Sequence, residues 1–173
     1  RVAKTPDIST EVESSPDLSY SFSELGYVDL VSKGSRQQSI FVNMPMQLVF
    51  DSQAEAVLHL VFAHSHVSDE EKSSLSVSVN GIPVADILLT SRNEQNASVD
   101  IKIPLRLLQI GNNSILFTSN VQKSISSNDQ LLYCLDEYYD TSWLTIGSNS
   151  TITFPNGIGK NSASLSGFPN LYF

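Results

Sequence analysis

Three groups of residues in this sequence have side-chain types and spacing that suit chemistry. The first is His64-Ser65-His66, two histidines at i and i+2. On an extended segment such residues project to one side, where they could hold a metal ion or line a catalytic site. No cysteine stands beside them, and no Asp or Glu at helical spacing completes a ligand set. Paired histidines at the edge of a loop ordinarily serve as hydrogen-bonding groups. The third histidine, His59, lies inside an apolar run.

The second group is Asp136-Glu137-Tyr138-Tyr139-Asp140. Its three carboxylates within five residues could coordinate a structural calcium ion through oxygen, although the spacing is not that of an EF-hand loop. The ordinary reading is a solvated acidic loop with partly packed tyrosines. A glycosidase would need two such carboxyls set across a cleft. The third group overlaps the second: Tyr133, Tyr138, Tyr139 and Trp143 are the densest aromatic set in the chain. Sugar rings present flat C–H faces, so exposed aromatic planes flanked by hydrogen-bonding side chains suit glycans. Tyr138, Tyr139 and Trp143 are therefore candidate carbohydrate-binding residues on their chemistry. Against this, the single Trp of a small β domain is more often part of the core.

Other chemistries lack their residues. No glycine-rich phosphate loop and no G-x-S-x-G nucleophile elbow occurs. The serines form no local grouping with a histidine and an acid, so no catalytic residue is assigned. Cys134 is the only cysteine, which rules out an internal disulfide and a thiolate zinc site. Ten Lys and Arg against 18 Asp and Glu give a net charge of −8, the wrong sign for binding nucleic acid. No run approaches the roughly 18 apolar residues of a spanning helix, so this segment is not expected to insert into a membrane.

The elements that must position these groups read as strands. Residues 1–18 carry Thr5-Pro6 and Ser14-Ser15-Pro16 with no hydrophobic period, and are expected to form a linker or arm before a domain over 19–173. Ser19–Phe22 is a short candidate strand. Ile40, Val42 and Met44 alternate with polar neighbours up to Pro45, a two-residue period. Ala56–Ala63 is nearly all apolar, as expected of a central strand covered on both sides. In Ser74–Leu89, serines alternate with Leu75, Val77 and Val79, and Asn80-Gly81 then supplies a primed hairpin turn. Val99, Ile101 and Ile103 mark another strand, stopped at Pro104. Leu105–Gln109 reads as a helical turn, Gly111-Asn112-Asn113 as a turn, and Ile115–Asn120 as a strand. Trp143–Ile146 and Thr151–Phe154 are late strands. Many short strands without a long amphipathic helix point to an all-β sandwich or barrel. At 173 residues and 40% apolar composition, a single packed core is within reach.

The order of these features resembles a known family. Ser23-Glu24-Leu25-Gly26 is followed by His64-Ser65, Ser74-Leu75-Ser76-Val77 and Val79-Asn80-Gly81. Then come Ile103-Pro104-Leu105 with Leu107-Leu108, Asn112-Asn113-Ser114-Ile115, Cys134 and Asp136 ahead of Trp143, and Ser150 in the strand near Phe154. Over residues 20 to 173 this is similar to the amino-terminal carbohydrate-binding domain of the B-type, non-catalytic component of bacterial cellulose synthase. The resemblance implies a jelly-roll, galactose-binding-like β-sandwich from a longer, membrane-anchored extracytoplasmic protein, with the next module starting after Phe173. It implies a non-catalytic accessory role, binding or guiding β-1,4-glucan or a related exopolysaccharide, with the catalytic glucosyltransferase of the synthase as partner. Asp136 and Trp143 fall on matched motif positions, so the resemblance adds Asp136 to the candidate carbohydrate-binding residues, whereas the roles of Tyr138 and Tyr139 rest on their chemistry alone. The alternative is a structural scaffold that contacts only other protein modules of the synthase, in which Trp143 is buried.

Overall fold

The computed structural model describes residues 17–44, 54–122 and 142–155. These contain the strands β1 (Leu18–Ser21), β2 (Leu30–Lys33), β3 (Arg36–Met44), β4 (Glu55–His64), β5 (Ser74–Val79), β6 (Ile82–Leu88), β7 (Ala97–Pro104), β8 (Gly111–Asn120), β9 (Trp143–Ile146) and β10 (Thr151–Phe154). All pairings are antiparallel. No helix among these residues is long and apolar enough to cross a membrane.

Two interruptions explain the topology. One edge of β4 is shared by β10, which pairs along Val57–His59, and β9, which pairs along Phe62–His64. β9 and β10 are thus one strand broken by residues 147–150. On their far side β2 pairs with β9 and β1 with β10, so β1 and β2 are likewise one strand, broken by residues 22–29. β7 covers the other edge of β4. Merging the broken strands leaves eight, arranged as first–eighth–third–sixth and second–seventh–fourth–fifth in the two sheets. That is the jelly roll, an all-β sandwich in which every strand crosses from one sheet to the other or returns through a hairpin.

Side-chain alternation fills the space between the sheets. Leu58, Leu60 and Phe62 of β4 face Ile40, Val42, Leu75, Val77, Ile115 and Phe117 from the second sheet, all buried. At about 25 cal/mol per Å², burial of these side chains is the main force holding the sheets together. Phe22, in the first interruption, tilts against Phe117 with ring centroids 6.2 Å apart, so this segment also belongs to the core. β4 departs from its sequence reading: its inner residues are buried, but Val57, His59, Val61 and Ala63 are only half-buried.

Three other elements differ from their sequence reading or extend it. β2 was not expected; its buried residue is Ser32, whose hydroxyl donates to the Leu144 carbonyl at 3.2 Å and shares a 3.1 Å hydrogen bond with Ser119 Oγ of the opposite sheet. Gly111-Asn112-Asn113 is not a turn but the start of β8, paired with Val42–Met44. The helical turn is shorter than expected, a 3-10 turn over Leu105–Leu107. The Asn80-Gly81 hairpin is as read, with φ of 49° and 82°, the positive pair a type I′ turn requires.

Candidate functional site

Two interruptions on one edge must be locked to each other, and backbone bonds do most of it. Phe22 N–H donates to the Ser150 carbonyl at 2.8 Å, and Ser23 N–H to the Ser148 carbonyl at 2.9 Å. Ser150, fully buried, precedes β10 and is not part of it. Its hydroxyl accepts from Val61 N–H at 2.9 Å, while Gly147 N–H reaches the Val61 carbonyl at 2.9 Å. Asp29 accepts from Ser148 N–H at 2.7 Å, which holds its carboxyl below the usual range. Beside this lock lies a shallow open depression of about 540 Å³ lined by Ser23, Gly26, Tyr27, Val28, Asp29 and Ser148.

The lock sets the register of β9 and thereby decides which way Trp143 points. Leu144 and Ile146 enter the core, so Trp143 and Thr145 must face outward. Trp143 is 38% exposed, opposite Lys33 of β2, and Thr145 stands between Val31 and Ala63. Ser65 fixes the backbone: its N–H donates to the Trp143 carbonyl at 2.9 Å, and its hydroxyl accepts from Trp143 N–H at 3.1 Å. The single Trp is therefore on the outer face of the first sheet, not in the core as the scaffold alternative required. Asp136, Tyr138 and Tyr139, with the acidic run considered for calcium, lie outside the described residues.

The histidines are engaged with protein oxygen atoms. His64 is buried, with Nδ1 2.8 Å from the Ser65 carbonyl and Nε2 2.9 Å from Asn93 Oδ1. His66 Nδ1 lies 2.6 Å from Glu94, and His59 Nδ1 lies 2.6 Å from Asp100 across β4 and β7. The i, i+2 pair thus does not converge: His64 joins the core while His66 is exposed. Among the described residues no group of three or more His, Cys, Asp or Glu is placed to hold a metal ion. No buried side-chain nitrogen or oxygen there lacks a hydrogen-bond partner.

A feature missed from sequence is the seal between the sheets along β2 and β3. Tyr27 OH accepts from Phe41 N–H at 2.8 Å, and Gln38 Nε2 donates to the Val31 carbonyl at 2.6 Å. The Tyr27 hydroxyl occupies a hydrogen-bonding position that another strand would otherwise take on β3. Only its position after Gly26, at φ 89°, hinted at a tight turn that returns the chain to the sandwich.

Comparison with known proteins places the sequence. Residues 16–156 match the family model described as "Cellulose synthase BcsB, first CBM domain". No curated protein matches. Among solved structures, the family 35 carbohydrate binding module from Clostridium thermocellum is similar at 14% identity, covering 79% of this chain and 98% of its own, with a TM-score of 0.35. The CBM36-1 domain of a multidomain xylanase from the hindgut metagenome of Trinervitermes trinervoides is similar at 8% identity over 72% and 74%, TM-score 0.35. An exo-beta-1,3-galactanase from Phanerochaete chrysosporium is similar at 17% identity over 81% of this chain and 30% of that one, TM-score 0.36.

Proposed function

The chain belongs to the family of first carbohydrate-binding domains of cellulose synthase BcsB, and from that premise we propose that it binds or guides the secreted β-1,4-glucan, or a related exopolysaccharide, outside the cell membrane. The role is accessory and non-catalytic, carried out beside the glucosyltransferase that makes the polymer. The observation that carries the reading is Trp143, a residue 38% exposed on a sheet face with Thr145 and Lys33 as neighbours. An indole plane set among hydrogen-bonding side chains suits the C–H face of a glucose ring. Asp136, Tyr138 and Tyr139, on the segment that leads into Trp143, complete the proposed surface.

Such a platform binds a flexible, hydrated oligomer in the millimolar to micromolar range, roughly −4 to −8 kcal/mol. Tryptophan fluorescence of the chain titrated with cellohexaose tests this. A saturable change in emission is expected, with affinity at least tenfold weaker in Trp143→Ala when followed by calorimetry. Emission that stays flat to several millimolar ligand, with the protein folded by circular dichroism, would overturn this reading and leave a domain that contacts only other protein modules through an exposed Trp143.

A further inference from the structure

His64 ends β4 inside the core, 2% exposed, and the proposed function gives it no role. Its ring meets an oxygen on both sides, the Ser65 carbonyl 2.8 Å from Nδ1 and Asn93 Oδ1 2.9 Å from Nε2. Both oxygens are acceptors. A carbonyl can only accept, and Asn93 cannot turn its amide round, because Thr90 N–H donates to Oδ1 at 2.7 Å while Nδ2 donates to the Leu88 carbonyl at 2.9 Å. A neutral imidazole has one N–H and one lone pair, so one nitrogen would then face an oxygen lone pair at hydrogen-bonding distance. Two donated bonds need a proton on each nitrogen.

What the ring holds leads to Trp143. The pairing of β4 with β9 ends at His64 and Leu144, so Trp143 lies one residue past it. Ser65 takes over there: its N–H donates to the Trp143 carbonyl at 2.9 Å, and its hydroxyl accepts from Trp143 N–H at 3.1 Å. The same Ser65 carries the carbonyl that His64 Nδ1 reaches. On the other side Asn93 ties the ring to Leu88, the last residue of β6 in the second sheet. A line of hydrogen bonds therefore runs from Leu88 through Asn93, His64 and Ser65 to Trp143. The charged groups on the flanking segments are engaged elsewhere. Glu94 lies 2.6 Å from His66 Nδ1, and its backbone carbonyl accepts from His64 N–H at 2.9 Å. Glu70 accepts from Ser91 N–H at 2.8 Å beside Arg92, and Asp69 pairs with Lys72 at 2.8 Å. Glu71 is exposed, and Lys33 stands across from Trp143 on β2. The ring's own partners are a carbonyl and an amide oxygen, not carboxylates.

We propose that His64, with a proton on both ring nitrogens, is a positioning residue for Trp143, so that the face carrying Trp143 is set through a buried proton and slackens when the ring loses it. The consequence for ligand rests on the reading of Trp143 as a glycan contact, but the positioning is observable without any glycan.

NMR of the chain labelled with nitrogen-15 tests it, from about pH 5 to about pH 8, the range in which histidine ordinarily changes charge. Both His64 ring nitrogens are expected to show imidazolium-type shifts at the acid end. The Ser65 and Trp143 amides are expected to move with the His64 midpoint, also in a His66→Gln protein, while the Val77 amide in the second sheet does not. In Asn93→Ala the ring needs only the Nδ1 proton, so the Trp143 amide is expected to lose this pH dependence. Should the wild-type ring stay doubly protonated throughout, His64→Leu decides: exchange at the Trp143 amide accelerates by about threefold or more if the ring positions it, and an unchanged rate overturns the proposal. A ring held in one neutral tautomer throughout would overturn it, as would a His64 transition that the Trp143 amide does not follow or an Asn93→Ala protein that keeps the wild-type pH dependence. Cellohexaose affinity, measured in parallel, is expected to weaken by about threefold or more as the ring loses its proton. A Trp143 amide that follows His64 in a protein with no response to cellohexaose would uphold the positioning and overturn the glycan reading. Glycan shifts at Trp143 in a protein without the coupling would do the reverse.

Discussion

Asn113→Ala removes a side chain that ties together the end of the second sheet. Asn113 is 1% exposed, and its amide makes four hydrogen bonds. Oδ1 accepts from Gln109 N–H at 2.8 Å and from Asn80 Nδ2 at 2.9 Å. Nδ2 donates to the Gln109 carbonyl at 2.8 Å and to the Gly111 carbonyl at 3.0 Å. Each such bond contributes about 0.5–1.5 kcal/mol net, and a partner left buried costs more. Ile110 beside them is 61% exposed, so water reaches part of this end and offsets some of the loss. The expected destabilisation is about 3 kcal/mol. With a urea slope of about 2 kcal/mol/M, the unfolding midpoint falls by about 1.5 M. Asn112→Ala, at the adjacent outward-facing position, is the control and changes stability by less than about 0.5 kcal/mol. In a double-mutant cycle, Asn80→Ala and Asn113→Ala couple, because Asn80 loses the same bond in either background. A loss below about 1 kcal/mol in Asn113→Ala, or strict additivity with Asn80→Ala, would refute the network as the anchor of the hairpin.

Two further perturbations probe the seal and the lock. Tyr27→Phe deletes only the hydroxyl that accepts from Phe41 N–H, and a cost of about 1 kcal/mol is expected. Hydrogen exchange at the Phe41 amide accelerates if the seal is real, and exchange at the wild-type rate would show that Tyr27 does not protect this edge. Asp29 has a lowered folded-state pKa because it accepts from Ser148 N–H, with the bond strongest when the carboxyl is ionised. Its contribution to stability is therefore complete above the ordinary carboxylate value and is lost as pH falls through the lower folded value. Asp29→Asn should flatten this part of the acid limb in unfolding curves recorded from pH 6 to pH 3. An acid limb as steep as in the wild type would show that the Asp29–Ser148 bond does not contribute.

Much of the architecture is legible in the sequence because inner and outer positions differ in polarity. Ile40, Val42 and Met44 show this in β3, and Leu75, Val77 and Val79 in β5; Asn80-Gly81 marks the turn by its backbone freedom. β2 is hidden by the same logic, since its inward residue is Ser32, whose hydroxyl is satisfied by Leu144 and Ser119. The start of β8 is hidden because glycine and two asparagines ordinarily signal a turn, whereas here Asn113 takes its partners from Gln109 and Gly111 while its backbone stays in register with Val42. Of the candidate site residues, Trp143 was legible as chemistry but not as position. Its direction follows from the inward placement of Leu144 and Ile146, which is fixed by the interruption at 147–150.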